Sequence, residues 1–191
     1  TTNDRPNVRR SSLVEHTARE MEMRIGLVSD THLQNSVPEA IINAFQGVDL
    51  ILHAGDLVVM DVLRHLEAIA PVTAVQGNMD LPGVQLNLPL KTIVEAEGHR
   101  IGLIHGHRVP HPDRVLPPPV DFSAMHTYLL SEFQSDNVDC IVYGHTHQAH
   151  IETYRNVLIV NPGAATRGRV HTVGLLTIGR DAIRGEIIEL S

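Results

Sequence analysis

The chain has no tryptophan, one cysteine, and only three phenylalanines and three tyrosines in 191 residues. A single cysteine excludes an intramolecular disulfide and fits a reducing compartment. Cys140 sits inside an apolar run, so it reads as a small buried hydrophobe rather than a nucleophile. No apolar stretch approaches the roughly 20 residues needed to span a bilayer, and residues 1–22 hold no apolar signal core, so no membrane partner and a cytoplasmic location are expected. Positive charge is scarce as well. Fifteen Lys and Arg stand against 22 Asp and Glu, for a net charge of −7. Without a basic, aromatic track, extended nucleic acid is a poor expectation as partner.

Histidine is what the chain has in excess, at 13 residues. Many imidazoles beside one thiol point to metal chemistry with nitrogen and oxygen ligands rather than thiolate zinc. The length suits one domain. Residues 1–22 are polar and read as an N-terminal extension, with the domain running over 23–191. The first convincing strand follows Met23. Arg24–Ser29, Val48–His53 and Val72–Gln76 read as strands, separated by a helix after Ser36 and Pro38 and another over Val58–Ala70. Ser36 is expected to cap the first helix. This β-α-β-α-β order predicts a parallel sheet with right-handed crossovers. Thr92–Ala96 and Arg100–His105 read as a hairpin turning at Glu97-Gly98-His99. A proline-dense loop over 108–119 is expected to overhang the site. Asp121–Ser135 reads as a helix and Val138–Tyr143 as a strand. Ala149–Tyr154, Val157–Val160, Val170–Ile178 and Ile183–Leu190 read as an antiparallel tail. The fold class is therefore α/β, a mixed β-sandwich with helices outside.

Every strand that carries chemistry ends in a polar side chain. Asp30-x-His32, Gly55-Asp56, Gly77-Asn78, His105 and Gly144-His145-x-His147 each follow an apolar, β-branched segment. A histidine or aspartate at one strand end is more often structural. Seven oxygen and nitrogen donors in this order, at the strand ends where α/β sheets gather their ligands, form a metal-site pattern. Their glycines are expected to let the backbone turn sharply at each strand mouth.

This order resembles the signature of the calcineurin-like metallophosphoesterase superfamily: D-x-H, G-D, G-N, a lone H, then G-H-x-H. The block Gly77-Asn78-Met79-Asp80 and the late Asn161-Pro162-Gly163 are similar to the YfcE-type phosphodiesterase subgroup. The resemblance covers Met23 to about Leu190. It implies a four-layer αββα sandwich of two mixed β-sheets flanked by helices. It also implies two divalent metal ions per chain, manganese first, with iron, zinc, nickel or cobalt admissible. Carried over position by position, one ion takes Asp30, His32, Asp56 and His147. The other takes Asp56, Asn78, His105 and His145, with Asp56 bridging. The implied activity is a binuclear phosphodiesterase in which the two ions share a hydroxide that attacks a small phosphodiester in line. Asp56, Asn78 and His105 would be the catalytic set. Many superfamily members have a histidine, thought to act as a general acid, where this chain has Met79. Its absence favours diesters with activated leaving groups.

His107, Met79, Asp80 and Arg167 are expected at the substrate or around the ligands, and His53 behind them. His65, His99, His111, His126, His150 and His171 receive no role. Two rival readings remain, a catalytically weak interaction scaffold of the same fold, as in the retromer subunit, and a nuclease of the superfamily. A homodimer is compatible with either.

Overall fold

The computed structural model describes residues 22–109 and 122–191. The N-terminal extension, apart from Glu22, and the overhang expected of the proline-dense loop lie outside the described residues. Elements follow in the order β1 (Met23–Val28), α1 (Glu39–Ala44), β2 (Leu50–His53), α2 (Asp61–Glu67), β3 (Val72–Ala74), α3 (Pro82–Gln85), β4 (Lys91–Ala96) and β5 (His99–Ile104), then α4 (Ser123–Glu132), β6 (Cys140–Val142), β7 (His150–Tyr154), β8 (Val157–Asn161), β9 (Thr172–Ile178) and β10 (Ile183–Glu189).

Two five-stranded mixed sheets result, ordered β10-β9-β1-β2-β3 and β4-β5-β6-β8-β7. Strand alternation assigns each apolar side chain to a layer. Ile25 and Leu27 of β1, Leu52 of β2, Leu103 of β5 and Cys140 and Val142 of β6 meet between the sheets, together with Val160 and Leu176. The alternate residues Val28 and Ile51 turn outward to Ile41 and Phe45 of the α1 region and to Val62, Leu63 and Leu66 of α2. On the far side Ile141, Tyr143 and Ile159 meet Met125, Leu129 and Phe133 of the α4 region. The architecture is the four-layer αββα sandwich. Cys140 is fully buried, as a small hydrophobe would be.

Each outer layer is seated on a glycine. A Cβ on Gly26 would lie 2.8 Å from the Phe45 ring, and one on Gly102 would lie 2.9 Å from the Phe133 ring. An aromatic ring thus lies against the backbone of a central strand in both sheets, bringing helix and sheet close.

The parallel β1-β2-β3 unit forms as expected. Several local expectations are corrected. Ser36 does not cap α1, which is entered through Pro38 with no side-chain cap. The second helix starts at Asp61, because Val58 adopts φ 77° and bridges Leu33 in the loop instead. His99 belongs to β5, pairing with Ala96, so the hairpin turn is Glu97-Gly98 alone. Both turn residues have positive φ, which matches the right-handed twist of the flanking strands. The tail is antiparallel only in part. β7–β8 and β9–β10 are antiparallel pairs, but β8 runs parallel to β6, and β9 returns to the first sheet beside β1.

Candidate metal centre

The C-terminal ends of β1, β2, β5 and β6 and the loop after β3 converge where the two sheets meet. His105, on the second sheet, reaches the Ala54 carbonyl of the first at 2.7 Å. The His145 backbone N–H donates back to Asp30 Oδ2 at 3.0 Å. These bonds lock the two sets of loops together.

The two aspartates divide their oxygens in the same way. Asp30 Oδ2 accepts from Ser29 Oγ at 2.7 Å and from His145 N–H. Its Oδ1 is buried with no hydrogen bond and lies 3.1 Å from His147 Nε2. Asp56 Oδ1 accepts from the Met79 N–H at 2.8 Å. Its Oδ2 stands 3.4 Å from His105 Nε2 and 3.7 Å from His32 Nε2. A carbonyl only accepts, so His105 Nδ1 carries the proton toward Ala54 and leaves the Nε2 lone pair facing the carboxylate. His105 Nε2 is also buried without a hydrogen bond. His32 Nε2 and His147 Nε2 lie 3.3 Å apart. Carboxylates and imidazoles crowded in this way, with both aspartates buried and His147 exposed, leave a deficit of positive charge.

Protonation responds to that deficit. Burial alone would raise Asp56, but the facing His105, with the Met79 N–H and His32, outweighs it and brings the carboxyl down to about 2. Asp30 is likewise lowered against its burial, by His147 and His105. His105 rises despite burial because Asp56 and Asp30 face it. His147 rises mainly through Asp30, whereas burial lowers His32 and His145.

Asp30, His32, Asp56 and His147 present ligand atoms within 4.8 Å of one another. The His105 ring lies 5.3 Å from His145, centroid to centroid. Asn78 sits exposed in the turn between Gly77 and Met79, and its amide joins none of these contacts among the described residues. His107 is half-buried, its ring 5.5 Å from His105 and its Nδ1 without a hydrogen bond. Burial first, then the charges of His105, Arg108 and His145, push it down to about 4, so it is neutral at pH 7. Arg167 is exposed, and its charge adds to the lowering of His32. The Met79 side chain is 54% exposed and offers no proton.

Asp80 is a clamp between loops. Its carboxylate accepts from Val58 N–H and Gly77 N–H, both at 2.6 Å, tying the loop after β2 to the loop after β3. Burial still leaves its pKa raised. His53, fully buried, accepts from Gly55 N–H at Nδ1 (3.2 Å), so its Nε2–H donates to Thr31 Oγ1 at 3.1 Å. It supports the first two loops from behind.

Two features were not visible in the sequence. Asp30, His32, Asp56, His145 and His147 all have positive φ, between 52°, 44°, 57°, 69° and 57° respectively. Each such residue costs about 1–3 kcal/mol, so the surrounding bonds must impose the conformation. The second feature concerns the glycines. Gly55 does turn at φ 95°, but Gly77 and Gly144 lie outside the positive-φ set. A Cβ on Gly77 would lie 2.1 Å from Asp56 Oδ1, and one on Gly144 1.9 Å from Ser29 Oγ. These two glycines leave room for the carboxylates rather than bend the chain.

Ser29 and Asn161 were missed as positioning residues. Buried Asn161 donates from Nδ2 to the Gly144 carbonyl (2.8 Å) and Thr146 Oγ1 (3.0 Å), holding the loop of His145 and His147. Its signals in the sequence are a polar residue ending the apolar run Val157–Val160 and its place in the Asn161-Pro162-Gly163 block.

Comparison with known proteins is consistent with this arrangement. The sequence profile of the calcineurin-like phosphoesterase superfamily domain matches residues 23–181. A protein of Methanothermobacter thermautotrophicus named "Probable metallophosphoesterase" is 39% identical over 171 residues, covering 87% of this chain and 92% of that protein. A protein of Methanocaldococcus jannaschii named as a phosphodiesterase is 27% identical over 183 residues, covering 87% of this chain and all of that one (100%). Among solved structures, Vacuolar Protein Sorting 29 of Cryptosporidium parvum superposes with a TM-score of 0.68 at 19% identity, over 89% of this chain and 98% of that one. At that identity the likeness concerns the fold.

Proposed function

Because the chain belongs to the calcineurin-like phosphoesterase superfamily, and so is a metal-dependent phosphoesterase, we propose that it is a binuclear phosphodiesterase acting on small phosphodiesters. One observation carries the reading. Asp56 Oδ2 stands within reach of both His32 Nε2 and His105 Nε2, at 3.7 and 3.4 Å, as a carboxylate shared by two cations would. The orphaned Asp30 Oδ1 and His105 Nε2 and the all-nitrogen-and-oxygen donor set fit divalent ions. Asp30, His32, Asp56 and His147 would hold one, and Asp56, Asn78, His105 and His145 the other. Asn78 completes the second set by turning in from its exposed position. Manganese is the first expectation. Bound ions supply activated water and concentrated positive charge for a phosphoryl group.

The chain's own residues do the rest. The left-handed loops hold Asp30, His32, Asp56, His145 and His147 in place before any ligand arrives, so reorganisation is confined to Asn78. Neutral His107 can offer one hydrogen bond to a phosphoryl oxygen without adding charge, and Arg167 can neutralise the diester's negative charge at the mouth. Met79 supplies no proton to the leaving group. Such a site favours diesters whose leaving oxygen departs without one. The likeness to Vacuolar Protein Sorting 29 keeps the scaffold reading as the rival, but this chain retains all seven candidate donors.

The test is hydrolysis of bis-p-nitrophenyl phosphate against p-nitrophenyl phosphate, with manganese and after chelation. Manganese-dependent cleavage preferring the diester is expected. Absence of both activity and bound metal would put the scaffold reading first.

A further inference from the structure

A second cluster of metal-competent side chains lies away from this centre. His126 stands on α4, one turn in, with 1% of its surface exposed. His150 opens β7 and Glu152 follows two residues later, so both project from one face of the strand. Glu152 Oε2 lies 3.2 Å from His150 Nε2 and 3.7 Å from His126 Nδ1. Around a tetrahedral zinc with ligands at about 2.1 Å, donor atoms stand roughly 3.4 Å apart, and the two measured separations bracket that value. All three donors lie within 4.8 Å of one another. The imidazoles are further fixed by rings. Phe122 stacks on His150 with centroids 4.1 Å apart, and His126 lies 5.3 Å from both His150 and Tyr154.

We propose that His126, His150 and Glu152 form a second divalent-cation site, separate from the phosphoesterase centre, that takes zinc or a similar imidazole-seeking ion and fastens α4 to β7. Two imidazoles and one carboxylate make a donor set that zinc accepts, with the remaining position left to water. The placement gives the ion a structural task. Among the described residues β7 is an edge strand, paired with β8 alone. The chain between the two histidines, 127–149, carries β6 and the loop of His145 and His147. An ion binding both ends of that stretch therefore ties α4 to the edge of the second sheet. No residue is shared between the two sites.

The test is zinc content by mass spectrometry, after dialysis against zinc and then metal-free buffer, on wild type, His150→Gln and Glu152→Gln. Both substitutions fall on partly exposed edge-strand positions, and circular dichroism reports whether each variant folds. Each folded variant is expected to hold one zinc equivalent less than wild type, to lose part of the zinc-induced rise in unfolding temperature, and to keep its diesterase activity. Equal zinc content in wild type and either folded variant would overturn the site. The pair would then be an ordinary His150–Glu152 hydrogen bond. Activity falling in step with the lost zinc would overturn its separation from the phosphoesterase centre. An Asp56→Asn chain that is inactive yet keeps this zinc supports the site independently of the activity proposed above.

Discussion

Asp30 and Asp56 each commit one oxygen to the fold and leave the other facing imidazole nitrogens. Asparagine at position 56 keeps the shape but removes the charge. Asp56→Asn should therefore lose at least one bound metal ion and more than the roughly 100-fold in activity typical of changes beside metal ligands. Metal analysis showing both ions retained would refute the bridging role. His53 makes a different contribution. Burial brings its pKa from 6.5 to about 4, so it folds neutral. A folded-state pKa below the unfolded value means stability that is present above about pH 6.5 and is lost as pH falls toward 4. The shift corresponds to about 3 kcal/mol. Denaturant unfolding measured from pH 7 down to 4 should show this loss in wild type and much less of it in His53→Gln.

At the level of elements, the loops after β1, β2 and β6 hold residues in left-handed backbone. They stay there because each is bonded to a neighbouring loop: Asp30 N–H to the Gly55 carbonyl (3.0 Å) and His32 N–H to the Asp56 carbonyl (2.9 Å). Helices contribute by pressing on the sheets. The Phe133 ring lies where a side chain at Gly102 would be, so Gly102→Ala should overpack the α4 interface. A cost of about 1–3 kcal/mol is expected in chemical denaturation, with metal content and activity retained because the contact lies behind the site. A neutral substitution would mean that α4 shifts freely.

For the whole molecule, the sandwich brings like-charged and acceptor groups together at the seam of two sheets, and a bound cation offsets that cost only in the folded state. Chelation should lower the unfolding temperature and added manganese should restore it. At an ion concentration 100 times the dissociation constant, the stabilisation is about 2.7 kcal/mol per site. An unfolding temperature indifferent to metal would sink the reading of these residues as ligands. Among the described residues no helix is long and apolar enough to cross a membrane.

The sequence by itself determined the strand-and-helix alternation, the parallel β1-β2-β3 unit and the places where polar side chains end apolar runs. These are local: a period of two, a stop at glycine or proline, an aspartate or histidine after a strand are all written in neighbouring residues. It also carried the family, because the ligand spacings are sequence distances. What only the tertiary structure decided is non-local. The return of β9 to β1, the parallel pairing of β8 with β6, and the division of each aspartate's oxygens all depend on partners up to 155 residues apart, as Met23↔Ile178 shows. The left-handed backbone of the candidate donors and the crowded Gly77 and Gly144 are invisible in sequence for the same reason. Strain and close approach belong to pairs of segments, and only the folded chain brings those pairs together.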